Sequence, residues 1–181
     1  MEVVKHRSGM MMSVFFASLM LAGRAFSGVG AVKTYEDWYT VAEDDGSYVS
    51  AITANLDGDT LAEHCYIDRH CEWRFSTKNF TCTPGVKSVV LANSKAGANS
   101  VNTECVGSLV KELWTTKILQ WSSFEMVVDN NQELALAIPG QGTSFRVIRF
   151  SLRGMKAATA SIGGAIVPGA AKASPARDVT L

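Results

Sequence analysis

From Tyr35 onward the chain alternates short apolar runs with clusters of Gly, Asn and Asp, the pattern of antiparallel strands joined by tight turns. Near the C-terminus Ile148, Phe150 and Leu152 fall on one face of a strand and Arg149, Ser151 and Arg153 on the other, which predicts a half-buried strand with a period of two. Phe124 to Asp129 and Glu133 to Ile138 alternate in the same way, and with Asn130 and Asn131 between them they predict a hairpin. Earlier strands are expected at Ser47 to Ala54, Thr60 to Ile67, Glu72 to Ser76, Ser88 to Ala92 and Ser100 to Cys105, with Asp44-Asp45-Gly46 and Asp57-Gly58-Asp59 as turns. Leu109, Val110, Leu113, Trp114, Ile118 and Trp121 recur near a helical spacing while Thr115 and Thr116 oppose a helix, so this stretch stays open between a short helix and something else. Gly154 ends the last strand, and Met155 to Ile162 predicts a brief Ala-rich helix. The sum is an all-β domain, an antiparallel β-sandwich or distorted barrel with a short C-terminal helix.

The two ends of the chain follow neither period. Lys5, His6 and Arg7 lead into an almost wholly apolar run, Met10 to Gly23, that Arg24 closes. This is the order of a secretory signal peptide. The run is shorter than the roughly 20 apolar residues a bilayer span needs, so no transmembrane anchor is expected after processing. Small residues place cleavage after Ser27 or as late as Ala31. The expected organisation is a signal peptide at 1–27, a β-rich domain at 32–162, and a tail at 163–181 whose Gly, Ala, Ser and Pro predict disorder.

Of 181 residues, 17 are Lys or Arg and 17 are Asp or Glu. Removing 1–27 takes Lys5, Arg7, Arg24 and Glu2, leaving 14 basic and 16 acidic groups. A mildly acidic mature chain lacks the basic footprint of a nucleic-acid binder.

Export changes how the sulfurs are read. The four cysteines, Cys65, Cys71, Cys82 and Cys105, all lie beyond the cleavage region, and an even number in an oxidising compartment reads as two disulfides. Three pairings are possible. Cys65 with Cys71 is favoured because the five residues between them fold back as a hairpin loop, leaving Cys82 with Cys105.

Candidate chemistry concentrates at His64-Cys65-Tyr66-Ile67-Asp68-Arg69-His70-Cys71-Glu72. His64, His70 and Glu72 are donor types that zinc accepts, and they carry the alternative reading of a metal-binding or metal-dependent hydrolytic protein. Disulfide formation removes the thiolates from such a set, and the ligand spacing of cysteine zinc sites is missing. No Gly-x-Ser-x-Gly elbow or phosphate-binding glycine loop occurs, so no catalytic residue is assigned and no cofactor is expected. Trp38 and Trp73 are expected in the core. Trp114 and Trp121 are the candidate exposed aromatics, and Arg149 with Arg153 is a candidate anion-binding pair.

The segment Phe145-Arg-Val-Ile-Arg-Phe-Ser-Leu-Arg-Gly-Met-Lys-Ala-Ala resembles the C-terminal signature of the invasion-associated locus B-like family of exported proteobacterial proteins. Phe150, Ser151, Leu152, Gly154, Met155, Ala157 and Ala158 carry the match, which covers mainly the C-terminal third. The resemblance implies a secreted or periplasmic β-sandwich with a part in host interaction or envelope function, and it brings no catalytic residues with it. Export, disulfides, strand pattern and this resemblance lead to the expectation of a non-enzymatic exported protein, periplasmic or secreted, that binds a protein or cell-envelope component.

Overall fold

A computed structural model describes residues 32–43, 46–78, 80–110, 113–129, 131–140 and 144–165. The segment expected to be a signal peptide, most of the segment expected to be a disordered tail, Asp44, Asp45 and Asn130 lie outside the described residues.

Among the described residues, ten antiparallel strands form one sheet: β1 (Lys33–Tyr35), β2 (Trp38–Ala42), β3 (Tyr48–Ala54), β4 (Thr60–Tyr66), β5 (Cys71–Thr77), β6 (Lys87–Ser94), β7 (Gly97–Val110), β8 (Leu113–Ile118), β9 (Glu133–Pro139) and β10 (Phe145–Ser151). Helix α1 (Trp121–Val128) lies between β8 and β9, and α2 (Met155–Ala165) follows β10. The spatial order is β1-β2-β3-β4-β5-β8-β7-β6-β9-β10. The all-β expectation holds, with two halves of one rolled sheet facing each other across a shared core.

Alternation decides which residues fill that core. Ala51, Leu61, Cys65, Trp73 and Phe75 from β3 to β5 join Val90, Ala92, Val101, Leu134, Leu136, Ile138, Ile148 and Phe150 from the other half in one apolar cluster. Trp38 and Trp73 lie in it as expected, with ring centroids 5.9 Å apart.

Two clasps hold the roll. At one, the indole Nε1 of Trp38 donates to the Ser151 carbonyl at 2.9 Å, the Ser151 hydroxyl donates to Asp37 at 2.6 Å, and the Asp37 amide reaches the Arg153 carbonyl. This gives the Phe-Ser-Leu-x-Gly signature a physical meaning. Phe150 and Leu152 are buried, Ser151 ties the β1–β2 turn, and Gly154 has φ +84° with an added Cβ only 1.9 Å from the Tyr35 carbonyl oxygen. No side chain fits there. Met155, Ala158 and Ile162 then bury one face of α2, which continues past Ile162 to Ala165.

At the other clasp, buried Asp59 accepts from the Lys78 amide at 2.9 Å and from the Arg146 guanidinium at 3.0 and 3.1 Å. Asp57-Gly58-Asp59 is therefore a turn whose last residue ties β10 to the β3–β4 connection, with Gly58 at φ +81°.

The structure departs from the sequence reading at 113–128. Leu113–Ile118 is a strand pairing with β5 and β7; its adjacent threonines, buried at Thr115 and Thr116, are β-branched and suit a pleated surface. Phe124 to Asp129 is not the first strand of a hairpin but mostly α1. Both periods bury Phe124 and Val128, and only the residues between them discriminate. Val127 is buried and Met126 exposed, the helical solution.

Candidate functional site

The sequence-nominated histidines do not converge. His64 and Glu72 face each other across β4 and β5 on the outer side of the sheet. His64 Nδ1 bonds the Ser50 hydroxyl at 2.6 Å, and burial lowers its pKa to about 4. His70 stacks on Tyr66 with ring centroids 5.6 Å apart. Glu72 accepts from the Tyr66 hydroxyl at 3.0 Å and pairs with Arg74 and Lys117. Burial works to raise its carboxyl, but Lys117 and Arg74 outweigh that and hold it below the usual range. Ser50 is buried, so the Ser50–His64 pair is a packed hydrogen bond rather than a nucleophile presented to substrate.

Both disulfides form as favoured, Cys65–Cys71 and Cys82–Cys105. Cys65 and Cys71 are register partners on adjacent strands, 4.0 Å apart at Cα. Among the described residues, the three-residue group with ligand atoms within 4.8 Å is Glu63, Cys65 and Cys71. Its sulfurs are bonded to each other, which leaves one carboxylate.

The other nominated residues are dispersed. Arg149 pairs with Glu133 at 3.4 Å, and Arg153 pairs with Glu36 at 3.2 Å, so the two guanidinium groups face carboxylates on different elements. Trp114 and Trp121 are half-buried rather than exposed. Trp121 packs against the core, 6.2 Å from Trp73 between ring centroids, because the helix that carries it turns the indole inward.

Two features emerge that sequence reasoning missed. The first is an apolar outer face on β6, β9 and β10. Leu91, Ala137 and Val147 lie in one register row, and Pro139 pairs with Phe145 in the next. Val89, Leu91, Phe145 and Val147 are 49%, 44%, 66% and 51% exposed. The outer face of β3, β4, β5 and β8 instead carries Tyr48, His64, Tyr66, Glu72, Arg74 and Lys117. The signal lay in β10 and β6, where both phases of the alternation are apolar and not only the inward one.

The second is a cleft of about 590 Å³ between α1 and α2. Its floor is the inner face of β4 and β5, where Glu63 pairs in register with Trp73. Trp121, Glu125 and Met126 from α1, Asp129 just past its end, and Met155 and Lys156 from α2 line its walls. Burial, with the charge of Glu125 adding to it, raises Glu63 to about 7. Its signal was an acid in the inward phase, between Leu61 and Cys65.

No family model and no curated protein matches the sequence. Among solved structures, the crystal structure of invasion associated protein B from Bartonella henselae matches with a TM-score of 0.55 at 10% identity, covering 75% of this chain and 98% of that chain. The two share a fold, which agrees with the resemblance read in the C-terminal segment.

Proposed function

We propose that this is an extracytoplasmic, non-enzymatic binding protein that engages a protein of the cell envelope or of a host through the outer face of β6, β9 and β10. The observation that carries the reading is the contiguous apolar row Leu91–Ala137–Val147 with Val89, Pro139 and Phe145 beside it. Monomeric soluble surfaces seldom keep apolar side chains together at this exposure, and such patches mark interaction sites. A flat sheet face offers broad apolar contact and little for orienting a reacting small molecule.

Export is supported by the basic, apolar, small-residue order of 1–31 and by two disulfides with no free cysteine. No helix among the described residues is long and apolar enough to cross a membrane. The name of the structural neighbour, invasion associated protein B, fits a host-interaction role.

The test is site-specific photo-crosslinking in intact cells from position Val147, with position Tyr39 on β2 as control. A discrete protein adduct from Val147, absent from Tyr39 and lost in Leu91→Asp and Phe145→Asp, is expected. Equal adducts from both positions, or undiminished adducts in both variants, would refute the reading.

A further inference from the structure

The cleft between α1 and α2 carries chemistry that the apolar face lacks, and its ligand is independent of whether that face binds a protein. Glu63 is 7% exposed, and neither a hydrogen bond nor an ion pair reaches its carboxyl among the described residues. Trp73, its register partner, is 3% exposed, and its indole Nε1 is likewise unpartnered. Buried polar groups are almost always satisfied. The Trp73 Nε1 is sealed from solvent, whereas the Glu63 carboxyl is not sealed, has no bonding partner among the described residues and lines the cleft, which points to a partner from outside the chain.

Charge selects the sign of that partner. Of the charged residues lining the cleft, Glu63 lies on β4, Glu125 on α1, Asp129 just past its end and Lys156 on α2. Lys156 is bonded to Asp129 at 2.6 Å, which leaves Glu63 and Glu125 uncompensated. An anion is disfavoured. The remaining walls are indole, thioether and aliphatic, with Trp73 and Trp121 inclined at 46°. Hard divalent metals take six or more oxygens, far more than two carboxylates among apolar walls supply. Indole faces attract organic cations, and apolar walls accept a carbon stem.

We propose that the cleft binds an organic cation on an aliphatic stem, of the kind a free diamine or a basic peptide side chain presents. The stem lies against Trp121, Met126 and Met155 and the charge between Glu63 and Glu125.

Binding a cation requires Glu63 ionised. Below about pH 7 the site must first release the Glu63 proton, so affinity for an amine that stays protonated throughout rises about tenfold from pH 6 to pH 8. The experiment is calorimetric titration of the disulfide-intact protein with 1,5-diaminopentane, with Nα-acetyl-lysine methylamide and, as the uncharged control, with 1-pentanol. Saturable binding of at least one amine is expected, tighter at pH 8, with little binding of pentanol. Glu63→Gln keeps the side-chain shape and should weaken binding at pH 8 by about tenfold or more while removing its pH dependence. Glu125→Gln should weaken it less. Tighter binding of the lysine amide than of the diamine assigns a peptide side chain, and the reverse order a free amine. No amine binding at millimolar concentration, pentanol binding equal to the amines, or unchanged affinity in Glu63→Gln with native circular dichroism overturns the proposal.

Discussion

Consecutive residues on opposite faces of β4 impose opposite pH dependences on stability. His64 falls from 6.5 to about 4 on folding. Between those values the unfolded chain binds a proton that the native state refuses, so stability drops as pH falls. Glu63 rises from 4.5 to about 7. Between those values the native state keeps a proton that the unfolded chain has released, so stability drops as pH rises. At about 1.4 kcal/mol per pH unit, each effect amounts to about 3 kcal/mol across its window, an upper figure for each. The windows overlap from 4.5 to 6.5, where the two slopes nearly cancel.

Single substitutions expose what the parent hides. Glu63→Gln should match the parent near pH 4 and exceed it by up to about 3 kcal/mol at pH 8. His64→Asn, which keeps a polar atom toward Ser50, should gain relative to the parent below pH 6 by a similar amount. Urea unfolding at half-unit steps from pH 4 to 8, disulfides intact and followed by tryptophan fluorescence, reads both differences directly. A stability difference between Glu63→Gln and the parent that stays constant across this range would refute the reasoning, because a change in packing alone carries no proton.

Gly154→Ala should cost about 3 kcal/mol or more, since the new Cβ lands on the Tyr35 carbonyl; the urea midpoint checks it. The two disulfides should differ in value. Replacing Cys82 and Cys105 by Ser, which opens a loop with a sequence separation of 23, should cost about 3.4 kcal/mol on loop entropy, against about 2.4 for Cys65 and Cys71 with a separation of 6. Denaturation of the two double variants ranks them. Leu91→Asp and Phe145→Asp, at exposed positions, should change stability by no more than about 0.5 kcal/mol while abolishing the Val147 crosslink, so a large loss of stability in either would show that this face is not free.

Several features were legible because they are local. The inward phases of β9 and β10 follow from alternation, since a strand turns every second side chain to the same face. The Cys65–Cys71 bridge follows from a loop short enough for one hairpin. The segment 121–128 was not legible, because Phe124 and Val128 satisfy both a strand and a helix. What chose between them was the burial of Val127 against the core, with Phe124 packed 5.3 Å from the Trp73 ring, a contact 51 positions away in the chain.

The sequence by itself determined the strand-rich class, the burial of Trp38 and Trp73, the signal-like leader and the absence of a conventional catalytic motif. Only tertiary structure decided which polar residues meet. It set His64 and Glu72 opposite each other but gave each its own partners, Ser50 for His64 and Arg74 and Lys117 for Glu72, and stacked His70 on Tyr66 instead. It set Glu63 under two helices that begin 58 and 92 residues later, and it gathered β6, β9 and β10 into one apolar face. Alternation is written in single strands, but the partners of a face come from strand order, and strand order arises only when the whole sheet rolls around its core.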